Sequence, residues 1–437
     1  MELGPGHKRT EVGVIPDDWE LTNLASVSSE PMQNGVFYKP SHKGAGVKLV
    51  NVGDLYGRIP IDTDSLELFD ANESEIARFR VEDGDLLFTR SSLVPSGIAH
   101  CNIYKSDRIE SVVFDSHVIR VRPDDRKVIP SYLFRFCLSS VARTYLISHA
   151  KTATMTTIDQ IVLGQCPVFL PTSAEQEAIA EALSNTDALI ESLEQLIAKK
   201  RQIKQGAMRE LLTGERRLQV FANAAIGYEE TEVGVIPEDW RLWELADLGS
   251  WKGGATPSMR NSMFWANGTI PWASSGDIKS ALIRDTPMKI TSAAIKLSST
   301  TLLPPNSIMI VTRSGILRRY LPVAKNTVPI AINQDIKGLI TNDNVVTEFV
   351  LHQLINNGGR ILATCLKSGT TVESVDFSWL KAFKIPLPPT KDEQAAIADV
   401  LSDMDAEIAT LEAKLAKARQ LKEGMMHNLL TGRIRVV

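Results

Sequence analysis

Apolar positions along the chain fall into two kinds of pattern. Leu183, Thr186, Ile190, Leu193, Ile197, Lys200 and Ile203 follow one another at steps of three and four residues, and Leu401, Met404, Ile408, Leu411, Leu415, Ala418 and Leu421 do the same. Such steps line one narrow stripe along a helix, the pattern of a coiled coil. Helix starts are marked by Pro171 and Pro389 with acidic Glu175, Asp392 and Glu393 in the first turn, and ends by Gly214 and Gly432. Forty residues at 1.5 Å each make about 60 Å of helix. A stripe needs a partner. Either the two helices pack on each other as a spacer or each packs on its neighbouring domain, and the narrowness of the stripe favours the spacer.

Elsewhere the pattern is of short, β-branched runs bounded by Gly, Asp or Pro. Residues 47–52, 85–89, 112–121, 307–312 and 336–340 read as strands, and residues 131–146 and 347–355 have helical spacing. The mixture predicts an α+β fold.

The chain is also written twice. Residues 10–19 (TEVGVIPDDW) and 231–240 (TEVGVIPEDW) agree at nine of ten positions, and residues 175–214 match 393–432 at 23 of 40 without a gap. Fainter echoes lie between: Gly53-Asp54 answers Gly276-Asp277, and Thr89-Arg90-Ser91 answers Thr312-Arg313-Ser314. Each copy is a divergent segment followed by a shared helix. The expected division is a domain at 1–170, a helix at 171–215, a linker at 216–230, a second domain at 231–388 and a second helix at 389–437, with residues 1–8 also loosely organised.

Net charge is −4, yet its distribution is uneven. Residues 241–386 carry 16 Lys+Arg against 9 Asp+Glu, or +7, whereas residues 20–170 carry 16 against 18, or −2. A +7 segment can neutralise several phosphates. Four scattered cysteines without a CxxC pair suit buried thiols in a reducing cytoplasm, and no apolar run approaches membrane-spanning length. Phosphate loops, dinucleotide fingerprints, nucleophile elbows and metal-spaced His/Cys clusters are absent from the sequence. The competing enzymatic reading is a stand-alone Mg-dependent DNA endonuclease, built on the acid-x-Lys elements at Asp125, Asp277 and Asp335. A purely structural coiled-coil adaptor is a third.

The paired GVIPDDW and GVIPEDW segments, the paired EQ-x-x-IA helix starts that each follow an LP (Leu170 to Ala180 and Leu387 to Ala398) and the helices ending LLTG give the chain a family likeness. It resembles the specificity subunit of type I restriction–modification enzymes, over essentially its whole length. The resemblance implies two tandem globular target-recognition domains joined by two long helices in an antiparallel coiled coil, an internal pseudo-two-fold repeat. It implies a non-catalytic cytoplasmic protein that binds double-stranded DNA, each domain reading one half of a bipartite asymmetric target and the helices setting the spacer. The implied partners are two methyltransferase subunits and two restriction/translocase subunits. No cofactor is expected on this chain; S-adenosylmethionine, ATP and Mg would sit on those partners.

Base edges are read by Arg, Asn, Gln, Ser and Thr, and phosphates by Lys and Arg. Polar clusters at strand ends and loops are therefore the candidates. In the first domain they are Thr89, Arg90, Ser91, Ser92, Lys151, Thr152, Thr154 and Thr156. In the second they are Trp272, Ser274, Ser275, Thr312, Arg313, Ser314, Arg318, Arg319, Lys367, Ser368, Gly369, Thr370 and Thr371. The alternative for the two Thr-Arg-Ser turns is a purely structural one.

Overall fold

The computed structural model describes residues 6–37, 40–108, 110–222, 227–367 and 372–436. It divides into two compact units, each drawn from distant stretches of chain: residues 1–194 with 413–437, and residues 195–412.

The strands that organise the first unit are β1 (Lys43–Val50), β2 (Leu86–Thr89), β3 (Cys101–Ile103), β4 (Val112–Phe114) and β5 (Val118–Val121). β1 and β4 are parallel, Lys48 opposite Val112 and Val50 opposite Phe114. β5 is antiparallel to β2, which pairs on its other side with β3. The residues of β2 and β4 are buried on both faces, which is why they read as unbroken apolar runs rather than alternating ones. The run expected as one strand over 112–121 is two. The Asp115 side chain accepts the His117 backbone N–H at 2.7 Å, and this Asx turn redirects the chain from β4 into β5.

The second unit repeats the plan with β6 (Ile270–Ala273), β7 (Ile308–Val311), β8 (Val323–Asn326), β9 (Ile330–Ile332) and β10 (Ile336–Thr341). β6 and β9 are parallel, and β7 lies antiparallel between β8 and β10.

Two long helices, Ser173–Thr213 and Lys391–Leu429, contribute to both units. In the first unit Ile179 and Leu183 from one helix and Leu429 from the other enter the core around Tyr132, Leu133 and Phe136. In the second, Ile397 and Leu401 join Met208, Leu211 and Leu212 around Phe349 and Leu354. Both packing modes therefore occur. Helix ends are embedded in globular cores, and between those ends the helices pair antiparallel, the partner's number falling as the other's rises. Asp187 meets Lys422 at 2.6 Å and Glu194 meets Arg419 at 2.5 Å in the first unit; Lys200 meets Glu407 at 2.7 Å and Lys204 meets Asp405 at 2.5 Å in the second.

Seam residues Leu183, Ile197, Leu401, Ile408 and Leu411 are buried, and Ile190, Leu193, Met404 and Leu415 are half-buried. Ile203 and Leu421, expected to end the seam, are 48% and 58% exposed. A step of four from Lys200 and Ala418 leads instead to Lys204 and Lys422, keeping the strict alternation. The aliphatic stems of these lysines can lie along the seam while their ammonium groups reach the carboxylates.

The stretch expected as a linker, 216–230, is structured at both ends, and the amino-terminal stretch is structured from His7. Tyr228–Thr231 pairs with Gly234–Pro237, as His7–Thr10 pairs with Gly13–Pro16. Just past the first long helix, Arg217 donates to Glu393 at 2.6 and 2.8 Å and to Asp239 at 2.9 Å. The same clasp closes the first unit. Arg435 donates to Glu175 at 2.8 Å and to Asp18 at 2.9 and 3.0 Å, and Glu175 also accepts the buried Trp19 indole N–H at 3.0 Å. Gly214 and Gly432 make the approach possible. Both take positive φ (+74° and +70°), and an added Cβ would lie 2.6 and 2.4 Å from the rings of Pro237 and Pro16.

Glu393 is only 1% exposed, so removing its cation leaves a buried, unpaired carboxylate. Arg217→Ala is expected to destabilise the chain by about 3–5 kcal/mol, read as a fall in the urea unfolding midpoint. A second expectation concerns pH. His352 is buried, with Nε2 3.3 Å from the Ser402 hydroxyl and Nδ1 without a partner among the described residues. Burial first, and the Lys204 ammonium next, lower its pKa from 6.5 to about 4, against the pull of Asp405 and Glu348. Below pH 6.5 the unfolded chain takes up a proton that the native imidazole refuses, so stability falls as pH drops from 6.5 towards 4. The contribution is on the order of 3 kcal/mol. His352→Gln is expected to remove that part of the acid slope in thermal unfolding run between pH 7 and pH 4.5.

Candidate nucleic-acid interface

Parallel neighbours deliver the loops leaving their carboxyl ends to one place, and each unit uses this. In the first, β1 runs into a tight turn at 51–54 and β4 runs into the turn at 115–117. Asp54 accepts the Asn51 N–H at 2.7 Å, closing the former, and the Asp115 N–H donates to the Val50 carbonyl at 3.0 Å, tying the two strand ends. The second unit has the same frame: Asp277 accepts the Ser274 N–H at 2.8 Å and the Asn333 N–H donates to the Ala273 carbonyl at 2.9 Å.

A third loop joins each pair. It is the Thr-Arg-Ser turn at the end of the strand beside β5 or β10. The Arg90 N–H donates to the His117 carbonyl at 2.8 Å, and the Thr312 N–H to the Asp335 carbonyl at 2.8 Å. In the first unit Ser91 and Ser92 then pair with Thr157 and Thr156, which pair in turn with Lys151 and Thr152. The structure thus brings the two candidate clusters of the first domain into one small sheet. In the second unit Arg313 bridges to Ser374 and Leu366 to Val375, and the Lys367 N–H donates to the Ser374 carbonyl at 2.8 Å, setting the Thr-Arg-Ser turn near Lys367. Ser368, Gly369, Thr370 and Thr371 lie outside the described residues.

Not every candidate faces outward. Thr89 is fully buried, its hydroxyl donating to the Gly97 carbonyl and accepting from the His100 N–H. Thr312 is buried with its hydroxyl on the Asp335 carbonyl at 3.1 Å, and Thr156 is buried 3.2 Å from the Thr152 hydroxyl. Trp272 is a core residue packed on Trp265, its indole N–H donating to the Ala255 carbonyl. These four are structural. A tryptophan and a threonine beside charged residues read alike in sequence whether they face in or out; only strand register decides. Ser274 is half-buried, its hydroxyl spent on Asp277 at 2.7 Å, and Ser275 beside it is half-buried.

Arg90, Lys151, Thr152, Thr154, Arg313, Arg318, Arg319 and Lys367 are exposed, and Ser91, Ser92 and Ser314 half-exposed. Some of the cations are already engaged: Arg318 with Glu373, Lys151 with Asp159 at 3.5 Å and Lys367 with Asp376 at 3.4 Å. The Ser378 hydroxyl chiefly, with the Trp379 N–H next, holds Asp376 down at about 2. Arg90, Arg313 and Arg319 carry no ion pair among the described residues. Arg90 lines a shallow cleft of about 190 Å³ with His149, Lys151 and Asp159.

The acid-x-Lys elements do not assemble a hydrolytic site. Asp277 is consumed by its turn, and the Asp335 carboxylate is held by the Asn333 and Gln334 amides at 3.1 and 3.3 Å while Lys337 lies over the Phe377 ring. Among the described residues no three His, Cys, Asp or Glu side chains are grouped to hold a metal ion.

A duplicated α+β domain presenting matched loop clusters, with each copy seated on paired helices, is the class of architecture these observations define. The sequence profile of the type I restriction modification DNA specificity domain matches residues 16–202 and again 237–420, so the chain belongs to that family, whose specificity subunits recognise DNA and are not catalysts. It is 28% identical over 433 residues to the putative type I restriction enzyme MjaX specificity subunit of Methanocaldococcus jannaschii, covering 98% of this chain and 96% of that one. Against the EcoR124I/EcoR124II specificity subunit of Escherichia coli it is 35% identical over 214 residues, about half of each chain (49% and 51%). Its fold is similar to the crystal structure of the S subunit of a type I system from M. genitalium, with TM-score 0.60, 12% identity and 98% of both chains covered. A chain from a structure of type I complex assembly gives TM-score 0.53 at 15% identity over 96% of this chain and 99% of that one. None of this supports the endonuclease reading.

The unpaired arginines of the second unit give a direct expectation. Arg313→Ala with Arg319→Ala should weaken binding to all duplexes alike and flatten the dependence of log K on log salt by about one unit for each phosphate no longer neutralised, as read by fluorescence anisotropy across a salt series.

Proposed function

We propose that this chain is the recognition subunit of a type I restriction–modification complex in which each unit reads one half of a split, asymmetric DNA target. The observation that carries this reading is the repetition of one loop frame, with different side chains at its tips, on two copies of the same fold. Identical frames suit one docking geometry on DNA, and different tips suit two different half-sites. The exposed and half-exposed polar residues of the loop clusters are the contacts: Arg90, Ser91, Ser92, Lys151, Thr152 and Thr154 in the first unit, and Ser275, Arg313, Ser314, Arg318, Arg319 and Lys367 in the second.

Both long helices contribute to both units, so their length is suited to setting the number of base pairs between half-sites. Half-sites one turn apart lie about 34 Å centre to centre, within the roughly 60 Å of each helix. The repeated helices would also offer equivalent docking places to two methyltransferase subunits, with two restriction/translocase subunits joining for cleavage. S-adenosylmethionine, ATP and Mg belong on those subunits in this reading, and the assembly is cytoplasmic. No helix among the described residues is long and apolar enough to cross a membrane.

The test is a domain exchange. Replacing residues 20–170 by the corresponding segment of another family member, in a host where this chain and its modification subunit are expressed, should change one half of the methylated sequence and leave the other half and the spacer intact. Change in both halves, or methylation that does not depend on this chain, would refute the reading.

A further inference from the structure

One turn at the mouth of each unit was not among the DNA-contact candidates read from the sequence, and it differs between the units in the way a specificity element should. The turn at 115–117 and its counterpart at 333–335 have one backbone frame. Each is anchored to the end of the parallel strand, through Val50 and Ala273, and each is crossed by a close-lying segment. The Val36 N–H donates to the Phe114 carbonyl at 2.8 Å, and the Ala255 N–H to the Ile332 carbonyl at 3.0 Å. That crossing requires glycine. A Cβ on Gly35 or Gly254 would lie about 2 Å from carbonyl oxygens of the opposing strand, at 1.7 and 2.1 Å. The turn is closed by a side-chain oxygen in both units, from Asp115 and from Asn333.

On this shared frame the tips differ. His117 is 62% exposed, and its Nδ1 lies 2.9 Å from the Asp115 carboxylate, whose side chain is only 8% exposed. A carboxylate can only accept, so Nδ1 carries the hydrogen, and in the uncharged form of the ring Nε2 is the nitrogen left as an acceptor. The equivalent station of the second unit holds exposed Gln334 and the half-buried Asp335 carboxylate. His117 overlooks an open depression of about 590 Å³ whose wall also includes Asn51, Asp54 and the ion pair of Lys43 with Glu67 at 2.9 Å, so that Asp54 and Asp115 leave it net acidic. Carboxylates beside the ring repel phosphate, so this is a poor place for a backbone clamp. An outward acceptor in acidic surroundings is complementary to an exocyclic amine, the N6 of adenine or the N4 of cytosine, which base pairs present in the major groove.

We propose that His117 is a specificity-determining residue that reads one base pair in the half-site of its unit, with Asp115 as the positioning residue that fixes its tautomer, and that Gln334 and Asp335 hold the same station in the other unit. The inference rests on the reading of the chain as a DNA-recognition subunit. Arg90, whose backbone N–H is bonded to the His117 carbonyl, places the phosphate-facing edge of the cluster directly beside the reader.

The experiment selects duplexes from a random-sequence pool with the chain co-purified with its modification subunit, and compares the wild type with His117→Ala and Asp115→Asn. Asparagine already occupies the Asp115 station in the second unit, so the latter variant keeps the turn while weakening the grip on the ring. A wild type that recovers no split sequence defeats the functional reading itself, independently of His117. Given a split sequence, His117→Ala should lower the preference at one position of one half-site by about tenfold, with the other half-site unchanged. Asp115→Asn should broaden the same position by less. Selection by His117→Ala of the wild-type sequence at every position, or equal weakening on all sequences, would overturn the proposal.

Discussion

Each unit is held shut by a buried carboxylate shared with one arginine. Glu175 and Glu393 stand in the first turn of the two long helices, each 1% exposed, and such a charge is tolerable in a low-dielectric setting only when paired and hydrogen-bonded. The arginine comes from the tail beyond the opposite helix's far end: Arg435 for Glu175, Arg217 for Glu393. The second acid, Asp18 or Asp239, sits beside the buried tryptophan of the entry hairpin. One clasp therefore ties together three things that sequence keeps apart: the entry to a recognition domain, the start of one helix and the exit from the other. In the second unit the arginine and the entry acid are 22 residues apart, and in the first they are 417 apart. The same chemistry is local in one copy and closes the whole chain in the other.

This explains why the repeated segments are the ones they are. GVIPDDW and GVIPEDW supply the proline against which the helix-end glycine packs, the tryptophan and the acid of the clasp. The EQ pair opening each helix supplies the buried glutamate, and a glutamine whose side chain accepts a backbone N–H, Gln176 from Ile129 at 2.8 Å and Gln394 from Val346 at 3.0 Å. LLTG supplies two core leucines and the glycine with positive φ. The matches between copies are the parts of one joint, met twice.

Those parts were legible because each position has a single physical solution, and such solutions recur. The α+β class and the helical seam were legible for the same reason, since periodicity reports burial directly. What sequence could not settle was direction within the divergent segments. Thr89 and Arg90 are neighbours, but Thr89 is the last residue of a strand buried on both faces and Arg90 the first beyond it, so one is fully buried while the other is exposed. Trp272 was lost to the core by the same ambiguity. As DNA contacts His117 was missed and Asp335 was read only as part of an acid-x-Lys element, because their signal is two residues upstream: an Asp or Asn that caps its own turn. Asx-x-x between two apolar runs at an offset of 218 residues (333 − 115) was present in the sequence, but its meaning depends on strands whose parallel pairing only the fold reveals.

The division of labour follows from where the free energy lies. The clasp, the paired helices and the strands buried on both faces hold apolar and charged groups whose loss costs several kcal/mol each. The loop tips are solvated side chains on turns whose backbone is already satisfied, where substitution away from the turn-closing residue changes stability by roughly half a kcal/mol. Divergence is therefore least costly at the tips and the surfaces beside them. The second unit shows how far it can run: its recognition segment carries +7 against −2 in the first, on the same frame. The contrast at the helix junction is of the same kind. Arg135 in the first unit pairs with Asp187, while the corresponding helix of the second unit turns neutral His352 towards Asp405 and Lys204. Charge is redistributed wherever a shared backbone leaves a side chain room to differ, and the frame that permits this is the one the arginine clasp secures.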